Sequence, residues 1–281
     1  MGRLLIAPAL IINMLIMLGP ALFTVVLAFY RWDGASTPVF VGFDNFVSLL
    51  GDRAFWSALQ NNLLWTAIFL TVPVAIALVA GTLLLTVRKG TMLFQLIFFT
   101  PIIIATVVWA KIWQLMIYSP VSGIVNLAND AGIPLRDPLS MPQTALLGVA
   151  IVDIWRWWGF LAVIFFGALR QVPTERVEAA RLDGAGFFQL AWYVLLPAIR
   201  PTIMLMMVLS LIWSFLVFDF VFILTGGGPA RSSEVLATFA YRSAFYQGNF
   251  GIAAAAALVF GVFGLAVSVV YVRVQLKEDN P

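Results

Sequence analysis

Four charged side chains, Lys111, Asp153, Arg156 and Asp219, interrupt runs of apolar residues long enough to cross a bilayer. Charge at such depth is costly and implies either a function or a partner. Asp153 and Asp219 on different helices could act as a two-carboxylate acid/base pair, or join Lys111 in an ion or proton relay. Asp153 and Arg156 are also spaced i,i+3 on one helix, so they can pair with each other. Trp157 and Phe160 follow Asp153 at i+4 and i+7, and Ser210, Trp213, Ser214 and Val217 form a second stripe of the same periodicity. A sugar has hydroxyls on its edges and C–H groups on its faces, so a site for it needs carboxylates and hydroxyls flanking aromatic rings. The two stripes supply that mixture. The same residues could equally pack helix against helix, with Asp153 and Arg156 as a neutralised structural pair.

Other chemistries are closed. The chain has no cysteine and no histidine, which removes disulfides, thiolate catalysis and the usual zinc or haem ligands. Neither G-x-S-x-G nor H-E-x-x-H occurs, and no G-x-x-x-x-G-K-[ST] phosphate loop is present. The chain reads as a non-enzyme, and any ATP it depends on must be hydrolysed by another protein.

The elements that position these residues belong in a membrane. Of 281 residues 62% are hydrophobic and 10% charged, and the mean hydropathy is +1.01; soluble domains carry about 25% charged residues. The net charge of +3 comes from scattered basic residues, which excludes a nucleic-acid footprint. Apolar runs able to cross about 30 Å of hydrocarbon, roughly 20 residues each, occur at residues 5–29, 63–87, 93–116, 145–169, 199–224 and 252–272. The first is too long for the apolar core of a signal peptide and reads as a retained span. The fold class expected is therefore an all-α integral membrane protein, a single six-span domain over residues 1–281.

Lys and Arg set the orientation. With the N-terminus inside, the inner segments hold Arg3, Arg88, Lys89, Arg170, Arg176, Arg181, Arg200, Arg273 and Lys277; the outer ones hold Arg31, Arg53, Arg136, Arg231 and Arg242. Both ends are expected in the cytoplasm. At 1.5 Å per residue, Asp153 and Arg156 then lie about 12 to 17 Å below the outer surface. Lys111 and Asp219 fall near the outer ends of spans three and five, where Lys111 can extend its amine to water and Asp219 suits packing or gating.

Between spans four and five lies VEAARLDGAGFFQLAWYVLLPAIRP, residues 177–201. Thr174 is expected to cap a short helix, Glu175 to complement its positive end, and Gly184 to stop it at positive φ. An apolar run from Phe187 to Leu196 follows, and Pro197 and Pro201 mark the turn into span five. The stretch could be an amphipathic linker at the headgroups, or a rigid knob seated on a cytoplasmic partner.

Glu178-Ala179-Ala180, Gly184, Val194, Leu196 and Pro197 at these spacings, with Asp183-Gly184-Ala185, resemble the EAA loop of membrane subunits of bacterial ABC importers. VGFDNF at 41–46 and LTGGGP at 224–229 agree, and the three stretches together resemble the carbohydrate-uptake, maltose-type branch, specifically the first of its two related permeases. Val194 stands where the family often has Ile. The resemblance implies a heterodimer with a second permease, two ATPase subunits that bind ATP and Mg, and an extracytoplasmic sugar-binding protein, all at a bacterial or archaeal cytoplasmic membrane. It implies ATPase coupling through Glu178, Ala179, Ala180, Arg181, Asp183, Gly184, Ala185 and Pro197. Contact with an oligosaccharide, glycoside or polyol falls to Asp153, Arg156, Trp157, Phe160, Ser210, Trp213 and Ser214. Asp219, Gly226, Gly227, Gly228 and Pro229 belong to the outer loop and gate.

Overall fold

A computed structural model of the chain describes residue 8, residues 11–262 and residue 264. The structure is almost wholly helical: α1 (Ile11–Leu27), α2 (Asp44–Gly51), α3 (Arg53–Leu84), α4 (Thr91–Ile103), α5 (Thr106–Ile117), α6 (Ile124–Asp130), α7 (Ala145–Leu169), α8 (Thr174–Leu182), α9 (Phe187–Ala198), α10 (Arg200–Phe215), α11 (Asp219–Leu224), α12 (Leu236–Phe245) and α13 (Phe250–Val262). One departure from the all-α expectation is a two-residue antiparallel ribbon, β1 (Tyr30–Arg31) with β2 (Val39–Phe40), in the register Tyr30 opposite Phe40. The chain divides into two compact units, residues 1–60 with 234–281, and residues 61–233.

Among the described residues only α3 and α7 are unbroken helices long and apolar enough to cross a bilayer. The expected third span is bent and the expected fifth is broken, while the turn into the fifth falls where Pro197 and Pro201 marked it. α4 and α5 meet at 101°, because Ile104 and Ala105 are both extended (ψ 132° and 136°); Pro101 removes a donor just before, and β-branched Ile102, Ile103 and Ile104 are poor helix formers. α9 and α10 meet at 72° at Ile199, with Pro201 in the first turn of α10, where its missing N–H is not needed. α10 then stops at Phe215, three residues before α11, so the run 199–224 is not one helix. The N-terminal part of the expected first span and the part of the sixth beyond residue 262, with Arg3, Arg273 and Lys277, lie outside the described residues.

In the first unit, Ala28, Leu49, Phe55, Leu236 and Phe239 pack on Ala254, Ala255 and Ala256 of α13. Small side chains there let helices approach closely. Asn45 of the VGFDNF stretch is buried, and its amide donates to the carbonyls of Ala28 and Tyr30 at 2.8 and 2.9 Å, tying α2 to the end of α1. Gly251 lies against the Tyr30 carbonyl, with no room for a Cβ.

In the second unit α7 is the central element, packed on α4, α10 and α11. Its glycine Gly159 faces the carbonyl of Phe98 on α4 so closely that any Cβ would collide with it. Gly81 of α3 plays the same part towards α7, where a Cβ would come 3.1 Å from the Ala162 carbonyl.

Candidate functional site

Of the four charges, Asp153 and Arg156 come together as a built pair. On α7, Arg156 Nε donates to Asp153 Oδ1 at 3.3 Å, with both side chains nearly buried. One terminal nitrogen of Arg156 donates to the Thr106 hydroxyl at 3.4 Å, and its guanidinium lies 5.1 Å from the centre of the Phe220 ring. Thr106 is the first residue after the α4–α5 bend, and Phe220 the second residue of α11. Arg156 therefore joins α7 to the restart points of two broken helices. Neither Thr106 nor Phe220 could be found by spacing along one helix, since the breaks themselves had no unambiguous sequence mark. Asp219 is exposed, in the first turn of α11, where its charge complements the helix dipole. Lys111 is exposed and donates to Gln114 Oε1 at 2.7 Å; it does not join the cluster.

The two polar-aromatic stripes face each other. The Trp157 and Trp213 rings are 5.3 Å apart and Trp157 and Phe160 are 5.2 Å apart. Trp157 Nε1 donates to the Ser210 hydroxyl at 3.0 Å, while the Ser214 hydroxyl donates to Thr66 of α3 at 3.1 Å. Both serines are fully buried, so in this conformation their hydroxyls hold α10 to α7 and α3. Trp157 is buried too, whereas Trp213 is 49% exposed and Phe160 half-buried. Val217 lies outside the stripe's helix, in the α10–α11 break.

The cytoplasm-assigned stretch forms a helix that buries none of its residues. α8 begins at Thr174, with Pro173 rather than Thr174 at the capping position and no side-chain cap; proline's extended ψ supplies the entry geometry that the hydroxyl was expected to supply. Its end is a Schellman motif: Gly184 has φ +82°, Gly184 N–H donates to Arg181 O and Ala185 N–H to Ala180 O, both at 3.0 Å. Gln189 Oε1 then accepts from Gly186 N–H at 2.9 Å, starting α9. The result is a stiff elbow. Glu178, Ala179, Arg181, Asp183 and Gly184 are exposed on it, Ala180 and Ala185 half-exposed, and Pro197 is exposed at the far end of α9. An open cleft of about 360 Å³, lined by Ala180, Asp183, Gly184, Ala185, Gln189, Tyr193 and Val194, separates the two helices.

The LTGGGP stretch is a locked turn. Gly226 and Gly227 have φ +58° and +86°, the Thr225 hydroxyl accepts from Gly227 N–H at 3.2 Å, and the Ser233 hydroxyl donates to the Gly228 carbonyl at 2.6 Å. Pro229 follows in a cis bond.

Residues 74–277 match the family of binding-protein-dependent transport system inner membrane components. The chain belongs to this family. The matched region contains the Arg156 cluster, both stripes, the α8 elbow and the GGGP turn; VGFDNF lies before it. Similar to this inner membrane component are a probable ABC transporter permease protein of Bacillus subtilis, YurN, 34% identical with 96% of this chain and 94% of that protein covered, and the trehalose/maltose transport system permease protein MalF of Thermococcus litoralis, 27% identical with 98% and 93% covered. Among solved structures, a bacterial alginate ABC transporter in complex with an alginate pentasaccharide-bound periplasmic protein has a chain that superposes with TM-score 0.82 at 25% identity, covering 96% of this chain and 92% of that one. The fold is that of an ABC importer permease.

Proposed function

We propose that this chain is a permease subunit of an ATP-driven importer that takes a sugar, an oligosaccharide, glycoside or polyol, from an extracytoplasmic binding protein into the cytoplasm. The observation that carries the reading is the α8 elbow: an exposed helix with a rigid Schellman stop, built on small residues and charged tips, between α7 and α10, the two helices that bear the facing stripes. A partner gripping α8 moves those helices. The named cargo of the trehalose/maltose and alginate relatives supports a saccharide.

In this reading the chain spans the membrane six times with both ends cytoplasmic; the bent pair α4–α5 forms the third span, and α10 with α11 the fifth, while α9 stays in the cytoplasmic coupling segment. A second permease completes the pathway. Two ATPase subunits hold ATP and Mg and engage Glu178, Ala179, Ala180, Arg181, Asp183, Gly184, Ala185 and Pro197. Cargo passes the Asp153–Arg156 pair and then Trp213 and Phe160 on the cytoplasmic side of it, and Asp219 and the Gly226–Pro229 turn shape the outer gate. Pairing with Arg156 neutralises Asp153 and disfavours the gradient-driven relay.

The test is sugar uptake into proteoliposomes holding the full importer and its binding protein, with and without ATP inside the ATPase-facing compartment. Uptake should require ATP, and Glu178→Lys should leave ATP hydrolysis no longer stimulated by loaded binding protein. Full uptake driven by an ion gradient without ATP would overturn the reading.

A further inference from the structure

Helix α2 has three faces where a helix at the edge of a water-soluble fold has two. At about 100° per residue, Asn45 and Leu49 point inward and are buried, and Asp44 and Ser48 form an exposed polar face. The third face, Phe43, Val47 and Leu50, is apolar and open, with Phe43 and Val47 each 69% exposed. Phe40 of β2 and Trp56 of α3 widen it; both are exposed, and Trp56 Nε1 donates to the Leu50 carbonyl at 2.8 Å, holding its ring against the end of α2.

The open face continues into the apolar surface of α1. Phe29, just after α1, stacks edge-on with Phe43 at 5.3 Å and lies 5.5 Å from Phe46, and Phe23 and Val26 of α1 are exposed. Arg31 and Arg53, exposed at either side of α2, are placed to reach phosphate while their stems cover apolar surface. An apolar face, a separate polar face, a tryptophan and flanking arginines are the attributes of a helix lying in the membrane interface.

We propose that α2, with the β1–β2 ribbon, is an interfacial anchor: Phe43, Val47 and Leu50 sit at the headgroup–acyl boundary of the lipid, with Asp44 and Ser48 turned to water. The anchor fixes the angle at which α1 and α3 leave the bilayer, because Asn45 bonds α2 to the end of α1 and Leu49 packs in the core beneath it. The outer leaflet follows from the topology proposed above; insertion itself does not depend on it.

The chain has no cysteine of its own, so spin labels at Val47→Cys and Ser48→Cys, in the assembled importer with its other subunits made cysteine-free and held in phosphatidylcholine nanodiscs, report the two faces separately. The label at 47 should collide several-fold more with oxygen than with a water-soluble nickel chelate, at a depth of about 5–10 Å, and the label at 48 should show the reverse preference. High nickel access at 47 would overturn the anchor. So would low access to both reagents at 47, which would mean that another subunit covers the face. ATP-dependent uptake measured on the same labelled samples keeps this outcome distinct from a failure of the importer reading.

Discussion

Arg156 Nε lies 3.3 Å from Asp153 Oδ1 on α7, and the same guanidinium reaches Thr106 and the Phe220 ring. One cation thus fastens two helix restarts to the central helix. Truncating one partner of a buried pair leaves the other charge uncompensated, which costs about 3–5 kcal/mol, whereas replacing both by apolar or neutral groups is often close to neutral. Arg156→Leu should therefore lower the heat-induced unfolding midpoint of the purified importer sharply, and the double variant Asp153→Asn with Arg156→Leu should recover most of it. A double variant that melts as low as the single one would show that shape, not charge, is what Arg156 contributes.

Gly159 sits where α7 meets the backbone of α4, with a Cβ excluded by the Phe98 carbonyl. A backbone carbonyl cannot swing aside as a side-chain tip can. Gly159→Ala should force the helices apart at a cost of about 1–3 kcal/mol, read as a lower unfolding midpoint. The control is Gly167→Ala, where a Cβ meets nothing within 4 Å on the same helix; it should be neutral or slightly stabilising.

Gly184 presents the opposite case: a Cβ there would meet nothing within 4 Å, but φ is +82°. Its cost on substitution is purely conformational, about 1–2 kcal/mol for an ordinary L residue and less for Asn, which visits this region more readily. Gly184→Val should loosen the elbow and depress ATPase stimulation by loaded binding protein, while Gly184→Asn should retain much of it. Equal loss in both variants would assign the defect to side-chain contact with the ATPase rather than to the helix stop.

These contrasts also mark what was legible in the sequence. The Asp153–Arg156 pair and the two stripes followed from i,i+3 and i,i+4 spacing, and the α8 stop from Gly184, whereas the meeting of the stripes came only with the structure. Periodicity cannot report a break that lacks its usual signs: Leu216-Val217-Phe218 contains no glycine or proline, yet α10 ends there, and Asp219 at the start of α11 makes sense as a helix-start residue only after the break is seen. Thr106 and Phe220 depend on those breaks, so their meeting at Arg156 was hidden. Thr174 lies inside α8 and not at its cap, because Pro173, which lacks a donor but has a suitable ψ, takes that place. Ser210 and Ser214 show a further limit. A stripe gives direction on a helix, not whether the hydroxyl faces cargo or a neighbouring helix.

Asp33 gives a pH dependence in the turn between β1 and β2. Its Oδ1 accepts from Ser36 N–H at 2.7 Å, Ala35 N–H at 2.9 Å and the Ser36 hydroxyl at 2.8 Å. The Ser36 backbone bond foremost, then that of Ala35, holds its carboxyl down to about 2 from an ordinary 3.8. A lowered folded pKa stabilises the turn fully above pH 3.8 and loses that contribution as pH falls through about 2. Hydrogen exchange at Ala35 and Ser36, corrected for intrinsic rates, should be flat from neutral pH to about 4 and then rise, and Asp33→Ala should abolish the step. A step centred near neutral pH would contradict this origin.

Trp213 separates cargo contact from helix packing. Its ring leans on buried Trp157 at 5.3 Å, yet about half of its own surface is open, so it offers an apolar face that a sugar ring can stack on. Ser210, fully buried, accepts from Trp157 Nε1 and presents no hydroxyl to the outside. Trp213→Ala should reduce sugar uptake several-fold with subunit assembly and unfolding midpoint little changed. Ser210→Ala should instead leave the Trp157 N–H buried without its acceptor, a loss of about 1–3 kcal/mol, and lower the midpoint more than it lowers uptake. If both variants lose stability alike and uptake falls only in proportion, the two stripes are packing surfaces and the sugar path runs elsewhere in the importer.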